Sequence, residues 1–216
     1  LKCRETGGVW AADFPTLSSG CQNLDGARIG IWETAHYEGG IRYRSRYVDG
    51  LQQGLHEGFH LNGRRSWVGF YEDDRPIGSH FFFDQQGRQI DVSFIDQSGT
   101  GEWKRWSHLG KTAASGRFES GFKTGLWREF RHNGALAKET EFLRGTQHGR
   151  TKEYYETGEL SLEATYTNGS REGTLTYFYT NGRPGLVAQF HQGRLHGPWA
   201  RYFFDAQPKE KGFYKE

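Results

Sequence analysis

Short stretches in which large apolar and polar residues alternate recur along the chain, and each stretch ends at a glycine. The segment GLWREFRHNG at 125–134 is followed by GRTKEYYETG at 149–158 and by GTLTYFYTNG at 173–182. Alternation with a period of two is typical of β-strands that bury one face, and glycine adopts the backbone angles that tight turns need. The pattern therefore predicts an all-β protein of short strands joined by turns.

A repeat of 24 residues organises these strands. Positions are numbered from the glycine that begins each repeat, so +9 lies nine residues after it. A second glycine stands at +9 in the first seven repeats, and an aromatic residue stands at +17 in all but the third, where Phe94 is displaced by one position. One interval is 23 residues and the others are 24. The starting glycines are Gly30, Gly54, Gly78, Gly101, Gly125, Gly149, Gly173 and Gly197.

Each repeat is predicted to form one β-hairpin. Asn-Gly at the middle glycine favours a two-residue type I′ turn at +8 and +9, with a looser turn between repeats. This register places +2 opposite +15 and sets a large side chain over a small one. We expect these pairs, with the aromatic residues at +6 and +17, to form the core face. The pairs are Trp32 with Ser45, His56 with Gly69, Trp103 with Gly116, Trp127 with Thr140 and Leu175 with Ala188.

An aromatic residue also recurs at +5, on the face that otherwise carries charged side chains. Equivalent strands of successive hairpins lie about 10 Å apart, so these rings should form a ladder. Two interpretations stay open. A bulge turns the rings inward as additional core, or they form an exposed recognition stripe for a partner. The candidate binding residues of this ladder are Phe59, Phe83, Trp106 and Phe130.

Repeats two and three depart from the pattern at the connection between repeats. Glu72, Asp73, Asp74 and Arg75 form a charged stretch stiffened by the following proline, and Trp67 stands at +13, where later repeats have Ala, Lys or Leu. A repeat scaffold that varies at one place often binds a partner there. These residues are therefore candidates for partner binding, although sequence drift in a solvent-exposed loop explains the same observation.

Composition and charge narrow the function classes. The 216 residues include 31 Gly, 16 Phe, 11 Tyr and 7 Trp, which gives the chain large apolar groups to bury and argues against disorder. The 28 basic and 26 acidic residues give a net charge of +2, with no electrostatic footprint for nucleic acid and little for an anionic membrane. No apolar stretch reaches the length of a membrane span.

The two cysteines indicate where the protein works. Cys3 and Cys21 bracket a loop-like segment without a second cysteine pair or nearby histidine that would make a zinc site, so we expect a disulfide and a periplasmic location. Lipid attachment at Cys3 is the alternative, but Lys2 stands where lipoprotein cleavage prefers a small residue. The chain lacks methionine, from which we expect that a targeting segment has been removed.

The pattern G-x-W-x-x-[YF]-x-x-x-G, as in GLWREFRHNGALAKETEFLRGTQHG, resembles the MORN repeat, in particular its bacterial variant. The resemblance covers residues 30–216 and implies an elongated, twisted antiparallel sheet of about seven to eight hairpins. Residues 1–29 are then an N-terminal cap tied down by the disulfide, because a repeat array needs capped ends. The open edge of the last hairpin leaves both a monomer and an edge-paired dimer open.

Catalytic constellations are lacking in the sequence. It has no nucleophile elbow, phosphate loop or CxxC motif. His56 and His80 occupy equivalent positions about 10 Å apart, too far for both to ligate one ion. We therefore expect no catalytic residues, no metal and no cofactor.

The leading hypothesis is a protein-binding module. The resemblance to MORN proteins of bacteria implies an antitoxin-like or immunity function, in which the protein covers the active site of a secreted toxin, such as a lipase or phospholipase. A structural protein associated with lipid or membrane is the alternative that the resemblance also implies. The low net charge, without a basic cluster on one face, disfavours that alternative.

Overall fold

The computed structural model describes residues 3, 7–13, 16–107 and 110–215, and every element defined in them is a β-strand, which confirms the all-β prediction. The first sheet contains β1 (Val9–Asp13), β2 (Ser18–Gln22), β3 (Arg28–Ala35), β4 (Ile41–Val48), β5 (Leu51–Phe59), β6 (Arg65–Glu72), β7 (Arg75–Phe83) and β8 (Gln89–Ile95). The second contains β9 (Gly101–Trp106), β10 (Thr112–Glu119), β11 (Phe122–Phe130), β12 (Leu136–Leu143), β13 (Thr146–Tyr154), β14 (Leu160–Thr167), β15 (Ser170–Phe178), β16 (Pro184–His191), β17 (Arg194–Tyr202) and β18 (Pro208–Tyr214).

Strands that follow one another in the chain are neighbours in both sheets. The chain divides into two compact units, Leu1–Gly110 and Lys111–Glu216, and each has its own hairpins. The division into a cap at 1–29 and a repeat domain at 30–216 stays a prediction. Antiparallel neighbours need only short connections, which is why a repeat of 24 residues suffices for two strands and two turns.

The predicted hairpin register is confirmed where the structure describes it. Trp32 pairs with Ser45, and Trp127 pairs with Thr140. His56 with Gly69 and Leu175 with Ala188 follow the same +2 to +15 rule. The pairing of Trp103 with Gly116 is not among the registers that the structure gives.

The predicted turn types, however, are reversed. In the first hairpin the amide of Gly39 donates to the carbonyl of His36 and the amide of His36 donates to the carbonyl of Gly40, which makes a longer loop closed by a left-handed glycine. A bulge beyond Ala35 then shifts the register by one residue. The shift compensates for the longer loop, so the register from the two-residue turn was correct although the turn type was wrong.

The two-residue turns lie between the repeats. Asp49 and Gly50 both have positive φ, at 46° and 86°, and so do Arg144 and Gly145, at 48° and 80°. Positive φ at both central residues defines the type I′ turn, whose twist matches that of the flanking strands. The connections that we expected to be looser are therefore the tightest ones.

The core face is built as predicted from +2 and +15, with one correction at +17. In the third repeat Ile95 pairs with Gly78 and is fully buried, whereas Phe94 points to the other face and is 59% exposed. The deleted residue of the short repeat thus lies after +17, and the assignment of Phe94 to the core was wrong.

Side chains at +6 join successive hairpins instead of filling the core. The Tyr155 hydroxyl donates to the Phe178 carbonyl at 2.5 Å, and the Tyr179 hydroxyl donates to the Tyr202 carbonyl at 2.8 Å. His60 Nε2 lies 3.0 Å from the carbonyl of Phe83 in the same way. These bonds occupy carbonyl groups next to the bulges, which the strand ladder leaves available.

A disulfide within the N-terminal region ties Cys3 to strand β2, and β2 pairs with β3 of the first hairpin. Cys3 and Cys21 are bonded, with their Cα atoms 5.4 Å apart, as predicted. The indole N–H of Trp32 donates to the carbonyl of Cys21 at 2.8 Å, and the Trp32 ring lies over Gly20. Such a bond is typical of oxidising compartments. No helix in the described part of the chain is long and apolar enough to span a membrane.

Candidate protein-binding face

The sheet face opposite the buried +2 residues has a different chemistry in each unit. We call this side the outer face. In the second unit Arg128 Nε lies 3.0 Å from Glu139 Oε1, and Lys152 Nζ lies 3.9 Å from Glu163 Oε1. Glu139 and Lys152 also pair across strands. This alternation of charge keeps the outer face of strands β11 to β14 well hydrated, whereas the last hairpins of the unit have apolar side chains on this face, such as Val187 and Phe213.

In repeats two and three of the first unit most of the corresponding positions are apolar, whereas the first repeat has the ion pair of Arg44 and Glu33 there. Val68 pairs with Phe81 and Phe81 pairs with Val92, while Leu55 pairs with Phe70. Cβ atoms of directly paired residues lie about 5 Å apart, so these side chains form one continuous surface. We call this surface the apolar face, and its residues are Leu55, Val68, Phe70, Phe81, Val92 and Phe94.

Several side chains of the apolar face are large and are nevertheless exposed to solvent. Leu55 is 42% exposed, Phe70 and Val92 are 47% exposed, and Phe94 is 59% exposed. Isolated apolar side chains are common on protein surfaces, but a contiguous patch across four strands is typical of a binding surface. Covering it removes apolar area from water at about 25 cal/mol per Å².

The other side of the same strands is closed, so the apolar face is not an unfinished core. Phe82, His80 and Ile95 are 2%, 0% and 0% exposed. His80 packs edge-on against Tyr71 and Trp103 at ring-centroid distances of 5.6 and 4.6 Å. Strands β5 to β8 therefore have one face that is packed within the unit and one that is exposed to solvent.

A charged network borders the apolar face at β5. Glu57, buried at 6% exposure, accepts from Arg65 Nε at 2.8 Å and lies 3.7 Å from Arg44 Nη1. Arg44 also contacts Glu33 at 2.8 Å and lies over the Phe59 ring. The two arginines balance the charge of the two glutamates. The network therefore forms the border of the apolar face and gives that border no net charge.

The acidic stretch that was predicted to be a binding loop connects the end of β6 to the start of β7. Glu72 pairs with Arg75, so Asp73 and Asp74 form a two-residue turn with φ of 46° and 64°. The Asp74 carboxylate accepts the amide of Gln52 at 2.7 Å, which ties this turn to the preceding one. The stretch is therefore a tight turn and not a proline-stiffened loop, and it is contiguous with the apolar face through the pair of Phe70 and Ile77.

Trp67 lies on the core side of the sheet. It pairs with Gly58 and Phe82, and its indole covers Gly58 so closely that a Cβ there would clash. Its ring centroid is 6.4 Å from that of Tyr71. The structure therefore does not bring Trp67 together with the apolar face, and a role for it in binding stays a prediction.

The +5 rings are half-buried and follow a bulge, as one of the two interpretations expected. Register shifts precede Phe59, Phe83 and Phe130. The Trp106 indole donates to Asp91 Oδ2 at 3.1 Å. These rings lie at the strand ends beside the turns, and their function as a recognition stripe stays a prediction.

Burial shifts the pKa of several titratable groups on the core side, and it raises the pKa of Tyr71 to about 12. Burial lowers the pKa of His56, and it lowers the pKa of His80 to about 4. Neither ring nitrogen of His80 has a hydrogen-bond partner of good geometry, although nearby backbone groups of Ile77 and Phe70 partly offset the desolvation. Within the described residues no group of three His, Cys, Asp or Glu side chains is placed to hold a metal ion.

The apolar face was not predicted from the sequence, because the outer face was expected to be mostly charged or polar apart from the aromatic residues at +5. The signal was present at +14 and +16, where repeats two and three have Val68, Phe70 and Val92 and the fifth has Glu139 and Glu141. Assigning Phe94 to the core removed one further residue from the pattern. A comparison of the residues at +14 and +16 between repeats would have identified the apolar face.

Comparison with protein families gives a match to part of the chain. Residues 147–168 match the family model described as the MORN repeat variant, and no curated protein matches the chain. This segment corresponds to one hairpin, built from β13, the turn at Gly158 and β14. The other hairpins share its register and its bulges. The chain thus contains a repeat of the MORN variant type, set among hairpins of the same geometry.

Proposed function

We propose that the protein is a non-catalytic module that binds another protein through the apolar face. The observation that carries this proposal is the exposure of Leu55, Phe70, Val92 and Phe94 on strands whose other face is closed. MORN repeats are generally modules that bind proteins or membranes, which agrees with the proposal. The centre of a protein interface is likewise rich in aromatic and aliphatic side chains, with charged residues at the rim.

The finer proposal is an exported immunity protein. Its partner is a secreted toxin, such as a lipase or phospholipase, whose active-site cleft the sheet covers. The disulfide between Cys3 and Cys21 supports an oxidising compartment such as the periplasm. Occlusion needs a rigid, complementary surface and no reacting groups in the inhibitor, which suits a hydrogen-bonded sheet.

A protein partner fits this surface better than a membrane. The apolar side chains lie on the face of a sheet, flanked by the backbone edges and turns of the hairpins, instead of projecting from a loop tip into a bilayer. Anionic lipid attracts clusters of basic residues, whereas ion pairs such as Arg65 with Glu57 match the charge beside this face. Binding of the protein to lipid, without a protein partner, is the result that would contradict the proposal.

The test is capture from a periplasmic extract of the source cell, with the oxidised protein as bait. Three baits are compared: the wild-type protein, Phe70→Ser with Phe94→Ser, and Phe213→Ser. Phe213 is the matched control because it also stands at +16, is 62% exposed and lies in the other unit.

The expected result is one stoichiometric secreted enzyme that is inhibited by the wild-type protein and by the control but not by the double variant. Retention of that enzyme by the double variant contradicts the proposed surface. Binding of the protein to phosphatidylglycerol vesicles, without a protein partner, contradicts the proposed function.

A further inference from the structure

We infer that the partner segment on the apolar face is cationic, with lysine or arginine side chains beside its apolar anchors. This inference rests on the proposed function, because it specifies the chemistry of the partner at the same surface. Its basis is a row of carboxylates at one edge of the first unit, where the two-residue turns project beside the apolar face.

The turns of the first unit are acidic. Asp49 occupies the first turn position between β4 and β5, and Asp73 with Asp74 occupies the turn between β6 and β7. Val48 and Leu51, which flank the first of these turns, are paired and are 46% and 43% exposed. Apolar and acidic groups therefore alternate along this edge.

Two of these turn carboxylates make no ion pair. Within the described residues Asp49 and Asp73 have no cation within salt-bridge distance, in contrast to Glu57, which is bound by two arginines, and to Glu72, which faces Arg75 across the turn. Both Asp49 and Asp73 are exposed. They lower the electrostatic potential beside a surface that is otherwise apolar.

The second unit provides an internal comparison. Its four two-residue turns are Ser120-Gly121, Arg144-Gly145, Asn168-Gly169 and Gln192-Gly193, and none of their turn positions holds a carboxylate. The acidic turns thus occur in the unit that has the apolar face. Turn geometry alone does not demand Asp, because Ser, Arg, Asn and Gln adopt the same positive φ in this chain.

Spacing adds a constraint on the partner. Equivalent turns of successive hairpins are two strand spacings apart, about 10 Å. That distance matches every third residue of an extended segment, or residues seven apart on a helix. Apolar anchors on the partner would lie between these basic positions and the centre of the apolar face.

An anionic membrane is disfavoured by the same carboxylates, because they would face lipid head groups of like charge. A basic protein segment gains complementary charge and apolar contact together. Complementary charge at an interface rim mainly raises the association rate and makes binding sensitive to salt.

The experiment measures binding of three synthetic 14-residue peptides to the full-length oxidised protein by fluorescence anisotropy. The probes are a Leu-Lys peptide with lysine at every third position and leucine elsewhere, and Leu-Glu and Ser-Lys peptides of the same pattern. The protein variants are Asp49→Asn with Asp73→Asn, which keeps side-chain shape at two positions of positive φ, and Phe70→Ser with Phe94→Ser. Phe213→Ser is the control, and thermal melts verify that each variant is folded.

The Leu-Lys peptide is expected to bind at least tenfold more tightly than the other two, with affinity that falls as salt rises. The carboxamide variant is expected to lose about tenfold in affinity, and the phenylalanine variant is expected to lose binding. Equal binding of Leu-Lys and Leu-Glu, or unchanged affinity of the carboxamide variant, overturns the inference.

The capture experiment separates the two proposals. If the captured enzyme is released by Phe70→Ser with Phe94→Ser but not by the carboxamide variant, the inference about charge is wrong and the proposed function stands. If no enzyme is captured while the Leu-Lys peptide binds with the expected charge dependence, the surface chemistry is right and the proposed function is wrong.

Discussion

His80 packs edge-on against Trp103, with the two ring centroids 4.6 Å apart. His80 stands at +2 of its repeat, where the first and fifth repeats have tryptophan. The histidine is fully buried and its ring covers Gly69, so it fills the same space as a larger apolar ring. A titratable group in such a site gives the fold a dependence on pH that a tryptophan would not.

The first prediction is that the protein loses stability as the medium is acidified from pH 6.5 to pH 4. Burial lowers the pKa of His80 from 6.5 to about 4, so between these values the unfolded chain binds the proton and the folded chain does not. Stability is therefore complete above pH 6.5 and falls by about 3 kcal/mol towards pH 4. Urea unfolding at several pH values measures this loss. In His80→Phe the loss should be smaller, and an unchanged pH profile in that variant would show that another group is responsible.

The second prediction concerns the disulfide. Reduction of Cys3–Cys21 should lower the free energy of unfolding by about 3 kcal/mol, because the bond closes a loop in the unfolded chain. Melting curves with and without dithiothreitol measure the effect. Cys3→Ser with Cys21→Ser should be insensitive to the reductant, and a wild-type curve that does not move would mean that the N-terminal segment adds no stability.

The third prediction tests the bonds that join successive hairpins. Tyr155→Phe removes the hydroxyl that donates to the Phe178 carbonyl at 2.5 Å, and should destabilise the protein by about 1 kcal/mol. Tyr37→Phe is the control, because Tyr37 is 97% exposed and should leave stability unchanged. Equal effects of the two substitutions in chemical denaturation would argue against the structural role of the +6 side chain.

The fourth prediction uses the type I′ turn between β12 and β13. Arg144 has φ of 48°, a conformation that asparagine adopts more readily than arginine. Arg144→Asn should raise the free energy of unfolding by about 0.5 kcal/mol, and Arg144→Val should lower it by about 1 kcal/mol, because a β-branched residue is strained at positive φ. Stabilisation by valine in thermal melts would contradict the assigned turn.

The fifth prediction concerns glycine at +15. Gly116 lies under the ring of Trp127, and a Cβ there would overlap the indole. Gly116→Ala should therefore cost about 2 kcal/mol of stability. In Gly116→Ala with Trp127→Leu the added methyl meets a smaller side chain, so the double variant should be less destabilised than the sum of the single variants. Strict additivity would show that the two residues are not in contact.

The sequence by itself determined the repeat, the hairpin register and the disulfide. Period-two alternation and glycine spacing are local properties, and each is visible within about 24 residues of chain. The +2 to +15 pairing was predicted from the turn at +8 and +9, and the large side chain of Trp127 opposite the smaller Thr140 agrees with it. For the +5 aromatic residues the sequence left two interpretations open, and a bulge such as the one before Phe59 was part of one of them.

The tertiary structure decided the turn types, the position of Phe94 and the existence of the apolar face. A longer loop with a compensating bulge gives the same register as a two-residue turn, so the register could not distinguish them. Phe94 and Ile95 are adjacent in the chain, and pairing of Ile95 with Gly78 determines which of them is buried. The apolar face joins residues that are separated in the chain, such as Leu55 and Phe70, because a binding surface on a sheet arises from neighbours across strands.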